Sequence, residues 1–363
     1  MGPEVASFEE EFAAHFGAPH AVMVNSGSSA NLVMVATAVL DDEVRLQPGD
    51  EVLVPAVSWS TTYYPLHQYG LKMRFVDIDA ETLNIDVQKA RAAVNSHTRA
   101  IMAVNLLGNP NDFNALRRLC DEFDLVLLED NCESMGAEFD GRATGTFGVM
   151  GSFSSFFSHH ISTMEGGIVL AGSEKHDQML RSVRAHGWMR ELPPQNHVFP
   201  KTGVPFDDLF RFVLPGYNVR PLELSGAIGR EQLKKVPSLV AGRRANAGLF
   251  TERFAGRRDV SIQQEVGRSS WFGFALILQE GLAGQRDLVV NELSGAGIES
   301  RPIVAGNFAR NPVISRLNVA EIPDLPVADK IHDDGLFVGN HHYPIEAQLD
   351  TLVGVFDRLA GNA

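Results

Sequence analysis

Residues 21–38 read AVMVNSGSSANLVMVATA, which is a short apolar run, a turn of serine and glycine, and then a helical pattern. The apolar run has the length and the valine content of a buried strand, and serine is a preferred residue at the start of a helix. Main-chain N–H groups and the positive end of the helix dipole converge at such a junction, which suits a phosphate. Gly27, Ser28 and Ser29 are therefore candidate phosphate ligands, and an ordinary capped helix is the alternative.

Six further apolar runs follow as far as residue 172, and segments of helical length separate most of them. They are DEVLVPA (50–56), KMRFVDID (72–79), AIMAVNLLG (100–108), LVLLEDNC (125–132), GSFSSFF (151–157) and GGIVLAG (166–172). Continuous apolar strands that alternate with helices are typical of a mainly parallel sheet covered on both faces. The pattern predicts an α/β domain.

Beyond this region, residues 221–256 predict one or two long helices, and residues 269–278 predict a strand. A further helix and a terminal helix follow. We expect a large α/β domain over residues 1–229 and a smaller α+β domain over residues 230–363. The loop at 189–208 is too long and too rich in proline for a simple connection, so we expect it to arch over a site or a partner subunit.

Composition excludes several classes of protein. A formal net charge of −14 argues against binding to nucleic acid or to an anionic membrane. No window approaches ~18 uninterrupted apolar residues, and the acidic start MGPEVASFEEEF does not resemble a basic, apolar leader, so we expect a cytoplasmic protein. Cys120 and Cys132 are too few for a disulfide framework or for a common iron–sulfur cluster. No metal site is expected either, because the adjacent His159 and His160 lack a third spaced ligand.

Three candidate binding residues lie at or just beyond the ends of predicted strands. Asp130 ends a buried strand, at the edge where doubly wound sheets gather their ligands. A buried carboxylate needs a partner, which is a salt bridge, a helix N-terminus or a protonated ring nitrogen. Glu133 would reach the same cavity if the loop turns there. Trp59 could stack on a flat ring, or it could belong to the core.

The segment SSFFSHHISTMEGG at 154–167 adds the hydroxyl of Ser154 and two adjacent histidines. An imidazole is largely neutral at pH 7 and is therefore a ready proton carrier. Either of these adjacent residues, His159 or His160, is a candidate proton carrier.

Taken together and in this order, these residues resemble the sugar-aminotransferase (DegT/StrS) family of fold-type-I pyridoxal phosphate (PLP) enzymes, over essentially the whole chain. In that family a serine and glycine loop binds phosphate, as NSGSSAN would here. An aromatic ring covers the pyridine, an aspartate binds the ring nitrogen, and a serine stands five positions before the active-site lysine; Trp59, Asp130 and Ser154 match these positions. The resemblance implies an aspartate-aminotransferase-like fold, with a mixed, mainly parallel seven-stranded sheet and a smaller α+β C-terminal domain.

At the lysine position, six residues before the glutamate of EGG, this chain has His159. The resemblance therefore favours His159 as the base, and we expect His160 to have a packing or hydrogen-bonding role. Segments such as PAVSWSTTYYPL, LLEDNCESMGA and VLPGYNVRPLE are similar to the dehydratase branch of the family, which has histidine there. The implied reaction is C3 dehydration of a nucleotide-linked 4-keto-6-deoxyhexose, with GDP-4-keto-6-deoxymannose as the expected substrate, in deoxysugar biosynthesis such as that of colitose. Glutamate would convert PLP to pyridoxamine phosphate (PMP), and the cofactor would be held without a covalent link while His159 acts as the base.

The resemblance also implies a homodimer in which each site draws on two chains. Asn218 would then contact the neighbour's cofactor phosphate, and His186 and Arg190 would contact the substrate. His341 lies in a region that resembles substrate-contacting loops. Members of this branch carry an arm ahead of MGPEVA, so either the start is misplaced or truncated, or the pocket is more open than in its relatives.

Two alternatives stay open at this point. A nucleotide-sugar 4-aminotransferase would need a lysine near position 159, but the nearest, Lys175, follows the next predicted strand in a polar loop. A non-catalytic protein that binds PLP or a nucleotide sugar could have lost its lysine by decay. Decay does not explain why the phosphate loop, Trp59, Asp130 and Ser154 are all present.

Overall fold

The protein is described by a computed structural model that covers residues 1–361. The helices are α1 (Pro3–Phe16), α2 (Gly27–Leu40), α3 (Ser60–Gln68), α4 (Val87–Ala93), α5 (Phe113–Phe123), α6 (Glu174–Arg184), α7 (Pro205–Asp208), α8 (Glu223–Leu233), α9 (Val236–Phe254), α10 (Arg286–Gly295), α11 (Pro326–Asp334) and α12 (Glu346–Gly361). The strands are β1 (His20–Val24), β2 (Glu51–Pro55), β3 (Lys72–Val76), β4 (Thr98–Val104), β5 (Val126–Asp130), β6 (Glu138–Phe139), β7 (Arg142–Ala143), β8 (Met150–Ser154), β9 (Gly167–Ala171), β10 (Val260–Ile262), β11 (Gly273–Leu278), β12 (Ser300–Arg301) and β13 (Gly335–Gly339).

The larger sheet has seven strands in the order β1-β9-β8-β5-β4-β2-β3. Its neighbours pair in parallel except at β9, which runs antiparallel to both β1 and β8. Each of the seven apolar runs contains one of these strands, so the predicted mixed, mainly parallel sheet is confirmed.

Helices cover both faces of this sheet, which explains why its strands read as continuous apolar runs. Ala100 and Met102 of β4 pack into the core cluster that includes α2 and α3. Ile101 and Ala103, the alternate residues of the same strand, pack against α5 on the opposite face. At the start of α5 the carboxylate of Asp112 caps the helix by accepting a hydrogen bond from the main-chain N–H of Ala115.

The C-terminal part contains a second, antiparallel sheet in the order β10-β11-β13-β12. One face of this sheet packs against α9, α10 and α12. Ala275 and Ile277 of β11 point the other way, into the core of the large sheet. The predicted long helical region is two helices, α8 and α9. The division placed between residues 229 and 230 falls within α8, and the two-domain boundary stays a prediction.

The topology brings the ends of β2, β4, β5 and β8 to the same edge of the large sheet, because these four strands run parallel. Helix α2 also begins at this edge. The segment before β11 reaches it from the second sheet, since Phe272 donates its main-chain N–H to the oxygen of Leu107, just after β4. No helix of residues 1–361 combines the length and the apolar character needed to cross a membrane.

Candidate active site

A cavity of about 730 Å³ opens at this edge of the sheet. Seven of the residues singled out in the sequence line it: Gly27, Ser28, Trp59, Asp130, Glu133, Ser154 and His159. They come from four separate segments of the chain, which the parallel strand order brings together.

The turn into α2 forms one wall of the cavity. The hydroxyl of Ser26 caps the helix by accepting a hydrogen bond from the main-chain N–H of Ser29, at 3.1 Å. Ser28 donates its hydroxyl to that of Thr61 in α3, also at 3.1 Å. Ser29 does not line the cavity, because the cap already occupies its N–H and its side chain bonds Ser26.

Gly27 packs closely against the end of β8. A Cβ atom at this position would lie 2.6 Å from Cβ of Ser154 and 3.0 Å from Sγ of Cys132. Only glycine lets the first turn of α2 approach the sheet so closely. The free main-chain N–H groups at the start of the helix therefore lie next to the Ser154 hydroxyl, which suits an anion such as a phosphate.

Asp130 is buried and receives its hydrogen bonds from neutral groups. Its Oδ2 accepts hydrogen bonds from Asn31 at 2.8 Å and from Thr62 at 2.7 Å, and its Oδ1 accepts one from the main chain of Cys132 at 3.1 Å. No lysine or arginine of residues 1–361 forms an ion pair with it. The carboxylate therefore faces the cavity with a charge that no side chain balances.

Trp59 lies at the start of α3, and its indole is 58% exposed. A large apolar ring exposed at the wall of a cavity offers a flat surface to a ligand. The core alternative for Trp59 is therefore wrong.

His159 borders the cavity, and its hydrogen bond determines which nitrogen is protonated. Its Nδ1 lies 2.7 Å from the main-chain oxygen of Cys132. Because a carbonyl oxygen only accepts, Nδ1 carries the hydrogen and Nε2 of the neutral ring keeps its lone pair. Burial lowers the pKa of His159, and this outweighs the opposite effects of the Cys132 oxygen and of Asp130. The imidazole is therefore neutral at pH 7 and able to accept a proton.

The neighbouring His160 points elsewhere. It is buried, its Nε2 donates to the main-chain oxygen of Ser270 at 3.1 Å, and it lines neither this cavity nor the adjoining one. Burial holds its pKa well below the usual value. His160 therefore has the hydrogen-bonding role that we expected for it, through its contact with Ser270.

Glu133 holds the loop after β4 in an unusual conformation. Its carboxylate accepts a hydrogen bond from the main chain of Leu107 at 2.9 Å, and Leu107 has a φ of 54°, which is rare for leucine. Burial raises the pKa of Glu133 to about 7. This side chain therefore faces the cavity as a carboxyl group that can hold a proton near neutral pH.

A second cavity of about 610 Å³ adjoins the first and shares His159, Phe272 and Arg301 with it. His341 lines this second cavity, and its ring stacks on Tyr343 with 4.8 Å between the ring centres. The position of His341 next to the site thus agrees with the region in which the sequence placed it. Its contact with a substrate stays a prediction.

The other three predicted residues form a group that lines neither cavity. Asn218 pairs with Ala185 through the main chain, and its side chain accepts a hydrogen bond from Arg220. His186 contacts Trp188 ring to ring, and the guanidinium of Arg190 lies 5.5 Å from the centre of the same indole. Within one chain, Asn218, His186 and Arg190 are therefore separate from the site.

The sequence analysis missed several residues that complete the site. Asn31 and Thr62 hold Asp130, and each lies within a quoted motif, at an inward-facing position of a helix that follows a strand. Phe272, Arg243 and Arg301 come from the C-terminal part, and no local pattern identifies them. No group of three or more histidine, cysteine or acidic residues within residues 1–361 could hold a metal ion.

Comparisons with known proteins are consistent across sequence and structure. The chain is 52% identical to the GDP-4-keto-6-deoxy-D-mannose 3-dehydratase of Yersinia pseudotuberculosis over 360 residues, which cover 99% of this chain and 92% of that relative. The structure of E. coli GDP-4-keto-6-deoxy-D-mannose-3-dehydratase with bound hydrated PLP is 50% identical, with a TM-score of 0.95 over 98% of this chain and 92% of that one. A mutant of the same kind of dehydratase with bound GDP-perosamine has the same identity, coverage and TM-score.

The model of the DegT/DnrJ/EryC1/StrS aminotransferase family matches residues 1–356. The match spans the large sheet, the second sheet and the first two thirds of α12. The fold is therefore the aminotransferase-like PLP fold that the resemblance implied. The chain belongs to the DegT/DnrJ/EryC1/StrS aminotransferase family.

Proposed function

We propose that this protein removes the C3 hydroxyl of GDP-4-keto-6-deoxymannose, with PLP and PMP as a non-covalently bound cofactor and glutamate as the amino donor. The observation that carries this proposal is His159, which occupies the place of the family's lysine and presents an unprotonated Nε2. No lysine lines the cavity among the described residues. An imidazole can carry a proton in this cavity, but it cannot bind the cofactor covalently as an amine does.

The cavity fits PLP by its chemistry. Asp130 is a buried carboxylate without a cation, which a protonated pyridine nitrogen would balance. Trp59 offers the exposed face of an indole to a flat ring. Gly27, Ser28 and Ser154 surround the start of α2, where a phosphate would meet free N–H groups and hydroxyls. In this arrangement Ser29 supports the turn, and Glu133 faces the ring from the opposite loop.

The cofactor and the residues of this chain would have different roles in the reaction. When bound, PLP or PMP supplies an electron sink next to the reacting carbon atoms. Asp130 keeps the ring nitrogen protonated, and Trp59 orients the ring. His159 accepts a proton at Nε2, and the imidazolium that results can donate this proton to the departing C3 oxygen. Its hydrogen bond to Cys132 keeps Nε2 directed into the cavity during both transfers.

We further propose a homodimer in which His186, Arg190 and Asn218 serve the neighbour's site, since all three lie outside the cavity of their own chain. The segment between α6 and α8 supports this proposal, because Phe206, Phe210 and other apolar side chains are exposed along it. Large exposed apolar patches mark interaction surfaces. The prediction that the loop at 189–208 covers a site or a partner belongs to this proposal. A reaction on a nucleotide sugar and glutamate is expected in the cytoplasm.

The test is incubation of the purified protein with PLP, glutamate and GDP-4-keto-6-deoxymannose, followed by measurement of ammonia and of the sugar product. The proposal predicts one ammonia per turnover and GDP-4-keto-3,6-dideoxymannose. A 4-amino sugar without ammonia would identify an aminotransferase instead. Binding of the cofactor and the sugar with no product would identify a non-catalytic binding protein. Replacing the guanine of the substrate by another nucleobase tests which nucleotide the site accepts.

A further inference from the structure

Two arginines are buried among residues 1–361, and they differ in their partners. Arg184 forms an ion pair with the carboxylate of Glu9. Arg243, in α9, is only 6% exposed and has no carboxylate partner in this part of the chain. A buried charge without a counter-charge is costly, so an unpaired guanidinium at a cavity indicates an anionic ligand.

The hydrogen bonds of Arg243 leave most of its donors unused. Nη1 donates to the main-chain oxygen of Asn340 at 2.7 Å and to that of Phe272 at 3.1 Å. Nε is buried without a partner, and Nη2 donates to no group of residues 1–361. A guanidinium has five N–H donors, and those on Nε and Nη2 form the side that binds a carboxylate through two parallel hydrogen bonds. Neither nitrogen on that side of Arg243 has a hydrogen-bond partner among residues 1–361.

Arg243 lines the second cavity but not the first. His159 and Phe272 line both, so a ligand that reacts beside His159 can extend from the first cavity into the second. The second cavity also has apolar walls, which include Phe274 and Leu349, and these suit methylene groups. A ligand whose anionic group binds Arg243 would therefore have its reacting carbon in the first cavity, beside His159. Methylene groups would join the two parts.

From this geometry we propose that Arg243 binds the distal carboxylate of the amino donor and so makes the protein selective for a dicarboxylic amino acid. The proposal rests on the proposed function, since it assumes that an amino acid reacts beside His159. A carboxylate matches a single guanidinium in charge and in shape. The diphosphate of a nucleotide sugar carries more charge than this one buried cation balances.

The experiment compares glutamate with norvaline, which has the same number of carbon atoms but lacks the distal carboxylate. Formation of the 2-oxo acid is measured with PLP-loaded protein and no sugar, for the native chain and for Arg243→Gln and Arg243→Lys. Without a sugar each bound PLP reacts once, so the quantity compared is the second-order rate constant of this single turnover. We expect Arg243→Gln to lower this rate constant for glutamate by about 10- to 100-fold, the usual effect of losing a charged hydrogen bond. The value for norvaline should change by less than about threefold. Arg243→Lys retains the positive charge but loses the two parallel N–H donors of the guanidinium. Its preference for glutamate over norvaline should therefore lie between those of the native protein and Arg243→Gln.

Arg244 provides the matched control. It also donates to main-chain oxygens, those of Ser269 and Gly136, but it lines a different cavity. Arg244→Gln should keep the native preference for glutamate. A binding measurement complements the kinetics: glutarate should raise the Tm of the native protein and of Arg244→Gln, and should have no such effect on Arg243→Gln.

The outcomes separate this proposal from the proposed function. If the native protein forms no 2-oxo acid from glutamate and no ammonia from the sugar, the proposed function is wrong. If the native protein is active and Arg243→Gln and Arg243→Lys both keep its preference for glutamate, the role of Arg243 is wrong. A rise in KM for the nucleotide sugar without a change in amino-donor selectivity would also overturn the proposal. If Arg243→Gln fails to fold, the test rests on Arg243→Lys: a weakened preference for glutamate over norvaline supports the role of Arg243, and the native preference contradicts it.

Discussion

Nδ1 of His159 lies 2.7 Å from the main-chain oxygen of Cys132, and this contact directs the unprotonated Nε2 towards the cavity. Cys132 in turn donates its main-chain N–H to Asp130, so the His159 imidazole and the buried carboxylate are held by the same short segment. A shift of this segment would move both groups together. The geometry therefore couples the position of the His159 ring to the position of the Asp130 carboxylate.

Substitution of His159 by asparagine tests its role as the base. We expect ammonia release to fall by about 10²- to 10⁴-fold, the usual contribution of a general base. His160→Asn is the matched control: it removes a buried hydrogen bond to Ser270 and should lower Tm, but its rate should stay within about tenfold of the native rate. Native ammonia release by His159→Asn would show that another group takes the proton.

The pH dependence follows from the lowered pKa of His159. Burial is the main cause of the shift, and it disfavours the charged ring. Only the neutral imidazole accepts a proton, so the rate should stay level as the pH falls from 7 to about 6.5, the usual histidine pKa, and should decline only below it. The measurement is kcat/KM against pH. A decline centred near pH 7 would instead point to Glu133, the pKa of which is about 7.

The large sheet was predictable because its strands are buried on both faces and therefore read as uninterrupted apolar runs. The same pattern located Asp130 and Ser154, since each ends such a run and the ends of parallel strands share one edge. Strand β13 was missed as a strand, because it has only three apolar residues between two glycines and shows no pattern of its own. Its place depends on pairing with β11 and β12, which are distant in the sequence.

The site residues of the C-terminal part could not be predicted for a different reason. Arg243 and Arg244 are adjacent in α9, and consecutive residues of a helix point in directions about 100° apart. Which of the two lines the second cavity depends on how α9 packs against the second sheet, and no local pattern contains this information. For His159 and His160 the resemblance indicated the residue that lines the cavity, because the family's lysine stands six residues before the glutamate of EGG, at position 159.

Replacing His159 by lysine tests the consequence of losing the family's amine. The lysine would restore a group able to bind the cofactor aldehyde covalently, so PLP should remain with the protein through dialysis. Dehydration should collapse at the same time, because the lysine is occupied and the neutral imidazole is gone. The measurements are the cofactor content after dialysis and the ammonia released. Dehydration at the native rate by this variant would show that the imidazole has no special role.

Asp130→Asn tests the unbalanced carboxylate. The amide oxygen can still accept the hydrogen bonds of Asn31 and Thr62, but the NH2 group would face the main-chain N–H of Cys132, so the Tm of the cofactor-free protein should fall modestly. Its affinity for PLP should fall by about 10- to 100-fold, because the charged contact to the ring nitrogen is lost.

Asp77→Asn is the control, since Asp77 is also buried but is paired with Lys89. It should lower Tm without changing the affinity for PLP. Equal affinities for PLP in the native protein and Asp130→Asn would remove Asp130 from the cofactor site.

Gly27→Ala tests the close contact between α2 and β8. The added Cβ would lie 2.6 Å from Cβ and 2.9 Å from Oγ of Ser154, so the helix start or the serine must move. Overpacking of this kind costs about 1–3 kcal/mol of unfolding free energy, and the displaced N–H groups should bind PLP more weakly.

Gly248, within α9, is the matched control, because a Cβ there would meet nothing within 4 Å. Gly248→Ala should stabilise the protein by about 0.5–1 kcal/mol, since alanine loses less backbone entropy in a helix, and should leave the affinity for PLP unchanged. Native stability and native PLP affinity in Gly27→Ala would mean that the phosphate does not depend on this contact.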